Sequence, residues 1–168
     1  MTTSKAIPGT TAFPLFLELD VDWQARKRFA DLILVGRYFA SHGALSLMAH
    51  VASDDRNIER VRFARCKGRD LGFTGSLTIR ELKAKVIGLG HALCEPPDMY
   101  AIRLAHTGAR NEAILVASEE IVTLDRRRGI FYLTNHNGRR GINASVVEEA
   151  VVDYGTSDEH EIVFRLGK

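Results

Sequence analysis

From Phe13 the chain alternates in character. Phe13, Leu15, Leu17, Leu19 and Val21 fall on one face, and Pro14, Phe16, Glu18 and Asp20 on the other. Period 2 predicts a strand over 13–21, with Pro14 suited to its entrance or an edge. At Asp22 the period changes. Phe29, Leu32, Ile33, Gly36, Phe39 and Ala40 follow helical spacing. They predict a helix over 23–41, with Asp22 as its cap and Gly43 as its C-terminal glycine. Leu45, Leu47, Ala49 and Val51 alternate again and predict a strand over 44–52. A turn at 53–57 leads to a third strand over 58–66, with Val61 and Phe63 opposite Arg60 and Arg62.

The glycine-containing stretch 67–76 reads as a loop. Thr78 and Glu81 have the spacing of a capping box, and Ile79, Leu82, Val86, Leu89 and Leu93 recur at threes and fours. They predict a helix over 79–94, stopped by Pro96 and Pro97. Met99 to His106 reads as a fourth strand. The expected fold is therefore α+β, with a ferredoxin-like βαββαβ order across 13–107. A β-rich extension of antiparallel hairpins follows over 108–168. Its turns fall at 125–129, at Asn137-Gly138 and at 155–158, and Asn-Gly is a strong hairpin signal. The stretch 144–152 also fits a helical period. Residues 1–12 read as a flexible tail and 13–168 as a single domain.

Composition narrows the class. With 45% hydrophobic and 26% charged residues in 168, the chain is an ordinary globular one rather than a disordered or fibrous one. No apolar run approaches the roughly 18 residues of a membrane span, and the N-terminus lacks the pattern of a signal peptide. A soluble, cytoplasmic protein is expected. Cys66 and Cys94 are too few for a disulfide scaffold and would stay reduced there. No metal or nucleotide fingerprint is present, and no cofactor is expected. Asn143-Ala144-Ser145 matches a glycosylation sequon by pattern only.

The net charge of +2 conceals an uneven distribution. Between Arg126 and Arg140 there are five Arg and no acid, whereas 144–161 holds six acids and no base. Arg offers a planar fork that binds phosphate oxygens bidentately. Arg126, Arg127 and Arg128 occupy one expected turn, and Arg139 and Arg140 lie just past the next. Successive turns of a meander fall at opposite ends of the sheet, so the two groups meet only if the strands curl. Arg60 and Arg62 on the third strand add to the basic surface. The loop before Thr78 carries Asp70, Thr74 and Ser76 toward a helix N-terminus, where backbone N–H groups favour an anion. These residues form the candidate ligand site.

A second constellation is His91, Cys94 and Glu95, which would share one face of a helix as a nucleophile or ligand set. His50 and His106 are expected on strands of one sheet. Three function classes follow. The first is a non-enzymatic regulatory or binding protein for a phosphate-bearing ligand, a nucleotide or nucleic acid. The second is an assembly or adaptor protein that forms a homodimer through its sheet. The third is a small-molecule enzyme with a His/Cys/Glu cleft. The sequence carries no membrane partner.

Overall fold

The computed structural model describes residues 12–51, 58–148, 150–151 and 154–167. Residues 1–11 of the tail expected at 1–12, and the turn expected at 53–57, lie outside these residues. The elements in chain order are β1 (Leu15–Val21), α1 (Gln24–Leu34), β2 (Tyr38–Ala40), α2 (His42–Met48) and β3 (Glu59–Lys67). A 3-10 turn (Gly68–Leu71) leads to β4 (Ser76–Thr78), α3 (Ile79–Gly88) and α4 (Pro96–Ala105). Then follow β5 (Glu112–Val116), β6 (Ile121–Val122), β7 (Arg127–His136), β8 (Arg139–Glu148), β9 (Gly155–Ser157) and β10 (Glu161–Arg165). The fold is mixed α+β.

The main sheet runs in the order β1-β3-β10-β5-β7-β8-β2, with β6 beside β7 and in line with β5. This order departs from the ferredoxin-like one. β10–β5 and β2–β8 are parallel pairs, and the chain's last strand sits in the middle of the sheet. Two expected strands are helices. Over the described residues 44–51, Ala44, Leu47, Met48 and Val51 are the buried ones, spaced i, i+3, i+4 and i+7. The alternation of Leu45 and Leu47 concealed that helical set. Ser41 caps α2 by accepting from the Ala44 N–H at 3.2 Å. Gly43 lies inside this helix rather than ending the previous one. α1 ends earlier, where Gly36 takes the left-handed conformation at φ +72°.

At 99–106 the chain is also helical. Pro96 and Pro97 start α4 instead of stopping α3, because proline at the first helical positions loses no intrahelical bond. The α3 capping box forms as expected, with Glu81 N–H on Thr78 Oγ1 at 3.1 Å and Thr78 N–H on Glu81 Oε2 at 2.8 Å. That helix stops at Gly88 rather than 94, and Gly90 is left-handed at φ +82°.

Alternation along the strands divides the core into two layers. On one face, Phe63, Ile114, Phe131, Leu133, Ile142 and Val163 pack under α1, α2 and α4. On the other, Ala64, Leu115, Ile130, Ile162 and Phe164 pack with α3 and the β4–β9 pair. α4 is fixed to β10 by a bidentate pair: Arg165 Nε to Asp98 Oδ2 at 2.6 Å and Nη2 to Oδ1 at 2.9 Å. Burial pushes the Asp98 carboxyl up, and Arg165 opposes this. The β7–β8 hairpin turns on Asn137 and Gly138, both at positive φ (53° and 83°), as a two-residue primed turn requires.

Candidate ligand-binding site

The hairpin decides where the arginines go. β7 and β8 pair over ten residues each, from Arg127 opposite Glu148 to His136 opposite Arg139. At ~3.4 Å per residue the two turns lie about 30 Å apart. Arg126, Arg127 and Arg128 are therefore at one end, and Arg139 and Arg140 at the other.

The two ends differ in how their charge is used. Arg127 is held by Asp125, Nη2 to Oδ2 at 2.6 Å. Bonds from Arg127 and Thr123 lower the Asp125 carboxyl to about 2. Arg128 donates to the Val151 carbonyl, lies 5.7 Å over the Tyr154 ring and sits 3.5 Å from Glu120. Arg126 occupies the turn at φ +59°. At the far end neither Arg139 nor Arg140 forms an ion pair among the described residues. Each instead lies against an aromatic ring of β2, Arg140 at 4.9 Å from Tyr38 and Arg139 at 6.0 Å from Phe39. Because Tyr38 and Phe39 are adjacent on a strand, the two guanidinium groups stand on opposite faces of the sheet.

On the Phe39 face the covering layer of α3 does not extend over β8 and β2. A cavity of about 420 Å³ opens there, between Phe39, Asn111, Thr134, His136, Arg139 and Asn143. Glu112 and Asn135 border it. Gly141 is the reason Phe39 can lie flat along β8. A Cβ at Gly141 would sit 2.5 Å from Phe39 Cδ1 and closer still to the Phe39 carbonyl oxygen. On this face Thr134 Oγ1 is buried without a hydrogen-bond partner among the described residues; Asn135 Oδ1 is likewise unpartnered but lies on the opposite face, with Leu133. Such an atom normally costs about 1–3 kcal/mol. Burial alone would raise the Glu112 carboxyl. Bonds from Arg65 (2.6 Å) and His106 (2.9 Å) outweigh it and hold Glu112 below the ordinary carboxylate range. Its charge is spent on that network rather than turned on an incoming anion.

The remaining sequence candidates are not gathered here. Arg60 is paired across to β1, with Glu18 at 3.1 Å and Asp20 at 3.0 Å. Arg62 is exposed on β3, in register with Glu18. Asp70 caps the 3-10 turn by accepting from the Lys67 N–H at 2.9 Å. Thr74 is exposed in the following loop, and Ser76 lies in β4 opposite Ser157. Asp70 and Ser76 line two other cavities.

His91, Cys94 and Glu95 do not share a helix face, because α3 has already ended. His91 packs against Phe164 in one core layer and accepts from the Gly167 N–H at 3.2 Å. Cys94 belongs to the other layer, and burial pushes its thiol well above the ordinary value. Burial likewise pushes Cys66 up to about 12. Neither thiol has the lowered pKa of a nucleophile. His50 follows α2 and His106 ends α4, so neither is on a strand. Among the described residues no group of three or more His, Cys, Asp or Glu is placed to hold a metal ion. No helix among them is long and apolar enough to cross a membrane.

Sequence reasoning named Arg139 and Arg140 but missed Phe39, Thr134, Asn135 and Asn143. Phe39 was assigned to a helix. The signal available was the Phe39–Gly141 pairing of an aromatic residue with a glycine, visible only once β2 is placed beside β8. Comparison with protein-family models, with curated proteins and with solved structures finds no match to this chain.

Proposed function

We propose that this chain is a non-enzymatic binding protein, with a regulatory role, for a phosphate-bearing ligand. The ligand is a nucleotide or the exposed end of a nucleic acid. It would sit on the open sheet face between Phe39 and Asn143, with its base along Phe39 and its phosphate on Arg139. The observation that carries this reading is the Arg139 guanidinium, without a carboxylate partner among the described residues, beside an aromatic ring in a cavity of about 420 Å³. A charged fork and a stacking ring are the two elements such a ligand requires. Thr134 Oγ1 offers an unsatisfied group to its polar edge. Arg140, on the opposite face of the same strand end, would meet a longer strand that wraps the edge. Arg126, Arg127 and Arg128 fall outside this reading. A cytosolic setting, in which Cys66 and Cys94 stay as free thiols, belongs to the same proposal.

The test is a titration against mononucleotides, cyclic dinucleotides and short single-stranded RNA and DNA at two salt concentrations. Binding should weaken as salt rises, because exposed charges are screened over about 8 Å at physiological ionic strength. Arg139→Ala should weaken it tenfold or more, and Arg127→Ala should leave it unchanged. A panel in which nothing binds, or an Arg139→Ala variant that binds like the parent, overturns the proposal.

The sheet-mediated homodimer is the second reading. It rests on β1, a seven-residue strand at the end of the sheet order whose outer edge pairs with no strand among the described residues. Light scattering at tens of micromolar that shows only monomer overturns it.

A further inference from the structure

A second cavity, of about 370 Å³, opens at the opposite end of the sheet. Val51, Met99, Val116, Ile121 and Phe131 form its apolar walls, so here the core layer beneath the helices reaches the surface. Its size falls within the range of small-molecule sites. Ser118 lines it, is only 8% exposed, and its hydroxyl makes no hydrogen bond among the described residues. A backbone bridge between Cys94 and Ser118 holds the Ser118 main chain against the cavity wall.

The charge of the lining selects among ligands. Glu95, Glu119 and Glu120 line the cavity, and among the described residues no Lys or Arg does. The cations that reach these carboxylates from outside are shared. Lys83 serves both Glu119 (2.7 Å) and Glu120 (3.4 Å), and Arg128, 3.5 Å from Glu120, also donates to the Val151 carbonyl. Arg165 serves Glu59, Glu95 and Asp98 together. The N-terminus of α4 does not offset this. Pro96 and Pro97 have no N–H to give, and the Glu95 N–H is taken by Asp98 Oδ2 at 2.7 Å. His50 adds no free donor, since Nδ1 bonds the Ser46 carbonyl at 2.8 Å and Nε2 accepts from the Leu124 N–H at 3.2 Å. Among the described residues, an anion entering this cavity would meet three carboxylates and, apart from the Ser118 hydroxyl, no donor.

We propose that this cavity is a binding site for a small organic amine with an apolar body, distinct from the site at Arg139. The apolar body would lie on Met99 and Phe131. The ammonium would donate to Ser118 Oγ and to a carboxylate of the Glu119–Glu120 pair. The Val122 side chain stands beside the opening, 53% exposed.

The experiment follows the Met99 methyl and Ser118 amide signals by NMR while three matched probes are added: phenethylamine, 2-phenylethanol and 3-phenylpropionate. Phenethylamine should shift both signals saturably, with half-saturation at or below about 1 mM. The alcohol should bind at least tenfold more weakly, and the carboxylate not at all. Ser118→Ala and Glu119→Gln should each weaken the amine several-fold, and Val122→Trp should block it, with each variant's fold checked by circular dichroism. Arg139→Ala should bind the amine like the parent. Absence of saturation with phenethylamine, equal binding of amine and alcohol, or unchanged binding in Ser118→Ala and Val122→Trp together overturns the proposal.

Discussion

Gly141→Ala tests whether the contact between β2 and β8 builds the site. The added methyl would lie 2.5 and 2.6 Å from two Phe39 ring carbons, and closer to the Phe39 carbonyl oxygen. Ordinary carbon contacts are ~3.5–4.0 Å. The ring and part of the strand must therefore retreat by about 1 Å. β2 is only three residues long and pairs with β8 only through Tyr38, Phe39 and Ala40, so it has little ladder with which to resist. Overpacking of this kind costs about 1–3 kcal/mol. For a domain of this size, that lowers the melting temperature by roughly 2–4 °C per kcal/mol. The assay is thermal and urea unfolding of Gly141→Ala, Phe39→Ala and the double variant. Phe39→Ala removes the two ring contacts but keeps the carbonyl one. The double variant should consequently be more stable than additivity predicts, by about 0.5 kcal/mol or more. The urea slope should stay at the parent value, since the unfolded surface is unchanged. Gly141→Ala should also weaken nucleotide binding, because Phe39 is displaced. If it melts within 1 °C of the parent, or the effects simply add, the close approach of Phe39 to β8 is not what the contact geometry describes.

Three further outcomes follow. Asp98→Asn should destabilise the protein by about 3 kcal/mol, the low end for breaking a buried pair, because Arg165 keeps Glu59 and Glu95; calorimetry checks it. Glu112 has a lowered pKa, so its contribution is present in full above the unfolded carboxylate value of ~4.3 and is lost as pH falls through the lower folded value. The acid limb of a stability-versus-pH curve should therefore be shallower in Glu112→Gln than in the parent. Thr78→Ala should cost about 1 kcal/mol in urea unfolding, by removing the Oγ1 that caps α3.

The strands of the second half were legible because their turn chemistry is local. Asn137-Gly138 forces one hairpin, and β7 and β8 follow from it with register fixed. α3 was legible for the same reason, since Thr78 and Glu81 satisfy each other three residues apart. The misread elements depend on partners far away in sequence. Leu45 alternates with Leu47 on paper, yet it is Ala44, Leu47 and Met48 that are buried where α2 packs on β8 and β7, with Leu45 left 48% exposed. Pro96 and Pro97 read equally well as an end or a beginning. Asp98 decides it, because a buried acid three residues past Glu95 accepts that residue's N–H and binds Arg165 of β10. The central position of β10 could not be read from local pattern at all. Its parallel neighbour β5 lies some forty-five residues upstream, and that closure, together with the helices α2 and α4 in place of two expected strands, separates the sheet from a ferredoxin-like one.

The charge pattern was legible in amount but not in use. Five arginines in fifteen residues form one basic run in sequence, and the hairpin turns it into two ends of a sheet about 30 Å apart. What separates the ends is the company each side chain keeps. Asp125 is two residues from Arg127 and neutralises it locally, a pairing the sequence does contain. Arg139 and Arg140 have no acid within that reach, and the tertiary structure brings them rings instead of carboxylates. An arginine already paired with a carboxylate must give up that bond to hold a phosphate, whereas one resting on an aromatic face gains a partner. The same rule separates Arg60, spent on Glu18 and Asp20, from Arg139. Counting arginines therefore overstates the surface available to an anion, and the end of the hairpin with fewer of them is the one on which the proposed binding rests.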